Sequence, residues 1–231
     1  MMQGWHTFFM DLVEQMPLIL HGVGNTILLG VTISVTGLIF GIVVFYLALS
    51  HNVIVRSCVK GYISFFTGMP LIVLLFLMYY GLPSWGVRLS PFVVSVIGFT
   101  MNIAAYNAAY LMSGYNSLDA AEIDAAKSQG FTPLQLFKWI TLPQVLLLSV
   151  PALSNQVIRN IKDTSVAFLI QYTEFFARIQ ELAASNFQFF KAYFFAGVVY
   201  LLLVSLVVLM ARWLERHIVI PGLHRTLDRQ S

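Results

Sequence analysis

The sequence predicts an all-α polytopic membrane protein with about five transmembrane helices in a single domain. Three observations carry that reading. Hydrophobic residues make up 58% of the 231 residues and charged ones only 10%, whereas soluble domains carry roughly 25% charge. Mean hydropathy is +0.80. Uncharged runs also reach the roughly 20 residues that a helix needs to cross the hydrocarbon core.

The runs extend from Gly22 to Leu49, Gly61 to Val87, Leu89 to Leu118, Trp139 to Ile158 and Ala192 to Ala211. They place spans near 22–49, 61–82, 91–113, 143–160 and 192–213, with a loop at 119–142 between the third and fourth. The fourth run holds Pro143 and Pro151 and passes into "NIKDTS", Asn160 to Ser165, before a shorter apolar piece, Val166 to Tyr172. It reads either as a broken span or as one of undefined limits. The opening "MMQGWHTFFMDLVEQMPLIL" lacks the basic start of a secretory signal and is expected to remain as an amphipathic lead-in.

Lys and Arg in short loops set orientation. Arg56 and Lys60 follow the first span, Lys127 and Lys138 the third, and Arg212, Arg216, Arg225 and Arg229 the fifth; the loop after the second holds only Arg88. The expected topology puts the N-terminus outside and both the 119–142 loop and the C-terminus in the cytoplasm.

In the first span Gly37 and Gly41 form G-x-x-x-G, a motif for close helix approach in lipid. It suits packing within the chain and across a subunit interface equally. Tyr79, Tyr80 and Trp85 are expected in the outer aromatic belt.

The 119–142 loop reads as helix, glycine turn, helix. Asp119 with Glu122 forms a capping box for a helix through Gln129, and Gly130 suits a left-handed terminus. Thr132 caps a second helix with Pro133 at its first position and Gln135 completing the box, and Leu142 and Pro143 are expected to end it. Phe131, Leu134, Phe137 and Ile140 offer apolar contact for a partner, with Asp124, Lys127 and Lys138 supplying charge at the edge.

Ionisable residues inside a membrane segment mark functional sites by default. Asn155, Gln156, Arg159, Asn160, Lys162, Asp163, Thr164 and Ser165 gather at the end of the fourth run and are the candidate solute pathway. Charges of both signs there could meet the ammonium and carboxylate of a zwitterion; alternatively, Lys162 and Asp163 pair with each other or cap a broken helix.

Composition and motifs exclude other chemistry. There is no phosphate-binding loop, no H-E-x-x-H and no G-x-S-x-G, so an enzyme is not expected. Cys58 is the sole cysteine and the five histidines form no ligand pair, so neither a disulfide, a metal site nor a cofactor is expected, and nothing suggests a nucleic-acid partner.

The stretch "DAAKSQGFTPLQLFKWITLPQ", Asp124 to Gln144, resembles the E-A-A-x-x-x-G loop and downstream I-x-L-P of the membrane subunits of bacterial ABC importers. "NIKDTSVAFLIQYTEF", "GMPLIVLLFLMYYGLP" and "TILLGVTISVTGLIFG" resemble segments of the polar amino acid permeases, the histidine, glutamine and arginine branch, and the resemblance covers roughly residues 20 to 216.

The resemblance implies the type I permease fold in the bacterial inner membrane and a partner set of two cytoplasmic ATP-binding subunits, a second permease subunit, identical or paralogous, and an extracytoplasmic solute-binding protein. It makes 119–142 a cytoplasmic coupling loop, with Asp124, Ala125, Ala126, Gly130, Leu142 and Pro143 as the ATPase-coupling positions. ATP chemistry would then lie in the partner, and the cargo would be a small polar solute such as an amino acid.

The sequence departs from the family pattern at Asp124, Ser128 and Gln129, and at Thr67, Ala109 and Met112, where family members often carry charge. The particular amino acid is therefore not fixed. Broken helices and midplane polar groups also suit an ion-gradient-driven secondary transporter, and the G-x-x-x-G motif with a docking loop suits a membrane scaffold.

Overall fold

The computed structural model describes residues 2–217, and side chains within 5–213. Arg225, Arg229 and His224 lie outside the described residues, and the Arg216 side chain is not among those described. The described chain is helical and contains no strand.

Helix α1, Met2–Glu14, leads through Gln15 into α2, Met16–Ala48, with Pro17 in its first turn. At 33 residues α2 is about 50 Å long, well beyond the hydrocarbon thickness, and it starts before the expected residue 22. Helix α3 covers Val53–Gly68, and α4, Leu71–Phe76, continues through a π-helical turn, Leu77–Gly81, and a 3₁₀ turn, Leu82–Trp85.

The second expected span is therefore a pair bent by 99°. Pro70 is the cause: it forces Met69 into extended backbone, φ −90° and ψ 131°, so the helix stops one residue earlier.

Helix α5, Pro91–Asn116, is capped by Ser90 and pairs extensively with α2. Short helices α6, Ala120–Ser128, and α7, Pro133–Leu136, follow. A π-helical turn, Phe137–Thr141, then leads directly into α8, Leu142–Asp163.

Leu142 and Pro143 thus begin a helix rather than end one. Pro143 follows a widened turn that accommodates the missing N–H, and Pro151 lies inside a continuous α8. The fourth span is unbroken up to Asp163, and the polar "NIKDTS" supplies its last turn and the start of a 3₁₀ turn, Thr164–Ile170, closed by Gln171 at φ 66°.

Helix α9, Phe175–Asn186, has no counterpart in the sequence reading, and α10, Phe189–His217, completes the chain. Among the described residues four segments are long and apolar enough to cross a membrane, Met16–Ala48, Pro91–Asn116, Pro133–Ile170 and Phe189–Trp213, and the bent pair, counted as one span, makes a fifth.

The G-x-x-x-G motif packs within the chain. A Cβ at Gly37 would stand 2.5 Å from Ile103 Cγ2, and one at Gly41 2.7 Å from Asn107 Cβ. Gly37 and Gly41 therefore hold α2 against α5.

Among the described residues three apolar clusters form the core. Phe8, Leu12 and Ile19 meet Phe175, Ile179 and Leu182; Leu29 and Ile33 meet Leu75, Phe99 and Ile103; and Phe45 meets Ala108, Leu111 and Val145.

Candidate functional site

A cavity of about 300 Å³ lies where the α3–α4 break meets α5 and α8. The break contributes Thr67, Gly68, Met69, Pro70 and Leu71; α5 contributes Phe99, Asn102, Ile103 and Tyr106; α8 contributes Gln156, Arg159, Asn160 and Asp163. The cavity thus lies at the 99° bend between α3 and α4.

The neutral polar groups are engaged within the chain. Asn102 Nδ2 donates to the Phe66 carbonyl at 2.7 Å and Tyr106 Oη to that of Thr67 at 3.4 Å. Gln156 Nε2 donates to Asn160 Oδ1 at 2.8 Å, and Asn160 Nδ2 to Ser34 Oγ at 2.9 Å, tying α8 to α2. The Thr67 hydroxyl donates to Ile63 O at 2.7 Å.

The charged groups form no salt bridge among the described residues, although Arg159 and Lys162 both lie within electrostatic range of Asp163. Arg159 and Asp163 lie one helical turn apart on α8 and line the same cavity, yet neither forms an ion pair among the described residues. The Arg159 guanidinium sits 5.8 Å from the Tyr106 ring centre, within cation–π range.

Of the eight pathway candidates, four line this cavity: Gln156, Arg159, Asn160 and Asp163. Lys162 does not pair with Asp163; it lines a separate pocket of about 310 Å³ with Ser165, Phe176, Tyr193 and Tyr200. The Ser165 hydroxyl donates to Lys162 O at 2.8 Å and that of the buried Thr164 to Ile161 O at 2.8 Å, so both complete the helix end. Asn155 is exposed on α8 and does not line the cavity.

Sequence reasoning noted Thr67 as a departure from the family pattern but did not place Asn102, Tyr106 or the rest of the break in the pathway. Asn102 and Tyr106, four apart on one face of an apolar helix, were the available signal.

The 119–142 segment forms a second candidate site. Asp119 caps α6 by accepting from Ala121 N at 2.9 Å, but Glu122 does not complete the box. Its Oε2 instead accepts from Gln144 Nε2 at 3.0 Å, tying α6 to the start of α8. Asp124 pairs with Lys127 at 3.0 Å on the exposed face, Ala125 is exposed and Ala126 is buried.

Gly130 turns the chain at φ 85°. The reciprocal Thr132–Gln135 box is formed, with the Thr132 N–H donating to Gln135 Oε1 at 2.9 Å. Leu134 and Trp139 are exposed, 60% and 65%, whereas Phe137 turns inward against Phe45 and Tyr46 with ring centres 5.8 and 4.7 Å away. Phe137 therefore does not offer the partner-facing surface expected of it.

A buried polar joint stands outside both sites. Glu174 is fully buried and caps α9, accepting from Phe176 N at 2.8 Å and Ala177 N at 2.7 Å, from Thr26 Oγ1 of α2 at 3.2 Å and from Tyr200 Oη of α10 at 3.1 Å. Burial pushes its carboxyl above the ordinary 4.5, although these hydrogen bonds oppose the shift.

Residues 35–220 match the model of the family described as "binding-protein-dependent transport system inner membrane component". The chain belongs to this family. The permease is 32% identical, over 90% of its own length and 94% of the relative's, to a protein of Vibrio harveyi named probable amino-acid ABC transporter permease protein PatM. It is also 32% identical to the L-cystine transport system permease protein TcyB of Bacillus subtilis, over 90% of each chain.

Among solved structures, an amino acid ABC transporter with histidines superposes with a TM-score of 0.82 at 23% identity, covering 91% of this permease and 98% of that chain. This permease is thus the multi-pass inner-membrane subunit of an ATP-driven importer, which works with ATPase and solute-binding partners. The gradient-driven alternative and the scaffold reading are set aside by family membership.

Proposed function

We propose that this permease carries a zwitterionic amino acid inward through the cavity at the α3–α4 break, with Arg159 receiving the carboxylate and Asp163 the ammonium group. One observation carries the reading: two opposite charges line one cavity within electrostatic range of each other, yet form no salt bridge that would close them to a ligand. Unpaired charges held inside a membrane protein are costly unless a ligand or water compensates them. A volume of about 300 Å³ is at the lower end of small-molecule sites and suits a cargo of amino-acid size. The names of the similar permeases support the same class.

The assembly completes the mechanism. Asn155, Arg159 and Lys162 are exposed along α8, a face that lipid would not tolerate. A second permease subunit, identical or paralogous, covers that face and encloses a polar pathway. Two cytoplasmic ATP-binding subunits hydrolyse ATP and receive the 119–142 loop, with Asp124, Ala125, Ala126 and Gly130 at the contact and Leu142 and Pro143 passing its movement into α8. The N-terminus lies outside and the C-terminus in the cytoplasm, as loop charges favour.

The test is amino-acid uptake by proteoliposomes containing the full complex. Arg159→Gln and Asp163→Asn should each lower uptake at least about tenfold while the ATPase subunits still co-purify. Uptake within twofold of the original for both variants would remove the cavity from the pathway.

A further inference from the structure

Given that cavity reading, we infer that the cargo is an amino acid whose side chain carries no charge. The argument is a count of charges against the groups that need them. Among the described residues, only Arg159 and Asp163 bring formal charge to the cavity, and the two α-substituents of a zwitterion occupy both.

Lys162, the adjacent cation in sequence, lines a different pocket, so its charge reaches Asp163 only from outside the cavity and is not presented to a cargo side chain. The remaining polar side chains are neutral, with the Asn102, Gln156 and Asn160 amides already donating to partners in the chain. The rest of the lining is apolar: Met69, Pro70 and Leu71 from the break, Phe99 and Ile103 from α5.

A guanidinium, ammonium or carboxylate side chain would lose its water there with no opposite charge to meet it. An aliphatic, thioether or amide side chain incurs no such loss. Thr67 agrees with this, since its hydroxyl is already bonded to Ile63 O and offers no charge to a cargo.

The experiment titrates the complex of permease and ATPase subunits in nanodiscs, without nucleotide and without the solute-binding protein, with L-leucine, L-glutamine, L-lysine and L-glutamate, reading Kd by calorimetry. Leucine or glutamine should bind at least about tenfold more tightly than lysine and glutamate. Arg159→Gln should abolish binding of all four.

Met69→Glu, checked for co-purification with the ATPase subunits, should narrow the gap between lysine and the better neutral ligand at least about tenfold by supplying the missing charge. Lysine or glutamate binding as tightly as the neutral pair, with Arg159→Gln still abolishing it, would overturn this inference and leave the cavity reading standing. Binding by none of the four, or binding indifferent to Arg159→Gln, would overturn the cavity reading and this inference with it.

Discussion

Gln144 Nε2 donates to Glu122 Oε2 at 3.0 Å, joining the short helix α6 to the first turn of the membrane-spanning helix α8. The bond crosses the glycine turn and the π-helical turn between them, so it bypasses the most deformable part of the segment. Both side chains are near the surface, and its loss should change global stability by less than about 1 kcal/mol. Glu122→Ala and Gln144→Ala should instead lower uptake per ATP hydrolysed, with ATPase co-purification retained. An unchanged transport-to-hydrolysis ratio in both variants would assign the bond a local role only.

Gly130 separates backbone strain from partner contact. Its φ of 85° makes any other residue cost about 1–2 kcal/mol, yet among the described residues, its two chain neighbours aside, no atom lies within 4 Å of a Cβ placed there. Gly130→Ala and Gly130→Arg should therefore both insert normally. If an ATPase subunit occupies that space, Arg should abolish co-purification and uptake while Ala weakens them only a few-fold; equal behaviour of the two would argue against a partner at this turn.

Gly41 predicts a packing defect. A side chain there meets Asn107 Cβ and the Ala104 carbonyl, and α2 must move away from α5 to admit it. Gly41→Val should destabilise the detergent-solubilised protein by about 1–3 kcal/mol, read as a lower unfolding temperature, whereas Gly61→Val, with open space at its Cβ, should not.

Glu174 predicts a pH dependence. Burial raises its folded-state value above the ordinary 4.5, so the folded protein holds this proton more tightly than the unfolded chain. Its contribution is full below about pH 4.5 and declines as pH rises through the folded value. Glu174→Gln should flatten that part of the stability profile, and Glu174→Ala should lower the unfolding temperature at every pH, because two α9 N–H groups and the Thr26 and Tyr200 hydroxyls lose their acceptor. An identical slope for the original protein and Glu174→Gln would mean that another group titrates.

Local signals were the legible ones. Thr132, Pro133 and Gln135 announce a helix start because capping is settled within four residues, and Gly130 announces its turn for the same reason. Long apolar runs located the helices, since the membrane imposes a minimum length.

What the sequence left open depends on neighbours distant in the chain. Glu122 fits a capping box, but Gln144, 22 residues away, takes its carboxylate instead. Pro143 reads as a terminator until the π-helical turn before it accommodates the ring. Glu174 is one acid in a connecting stretch, and only the fold brings Thr26 and Tyr200 to it. Within the candidate pathway, the run Asn155 to Ser165 was visible as a polar patch, but helical rotation alone sends Asp163 and Lys162 into different pockets.

The exposed polar stripe of α8 has a consequence for the life of the protein in the cell. With a second subunit over that face, as proposed, a copy inserted alone would present Asn155, Arg159 and Lys162 to acyl chains, which is costly in lipid. Its abundance should then be limited by the scarcest member of the assembly, whatever the rate of its own synthesis.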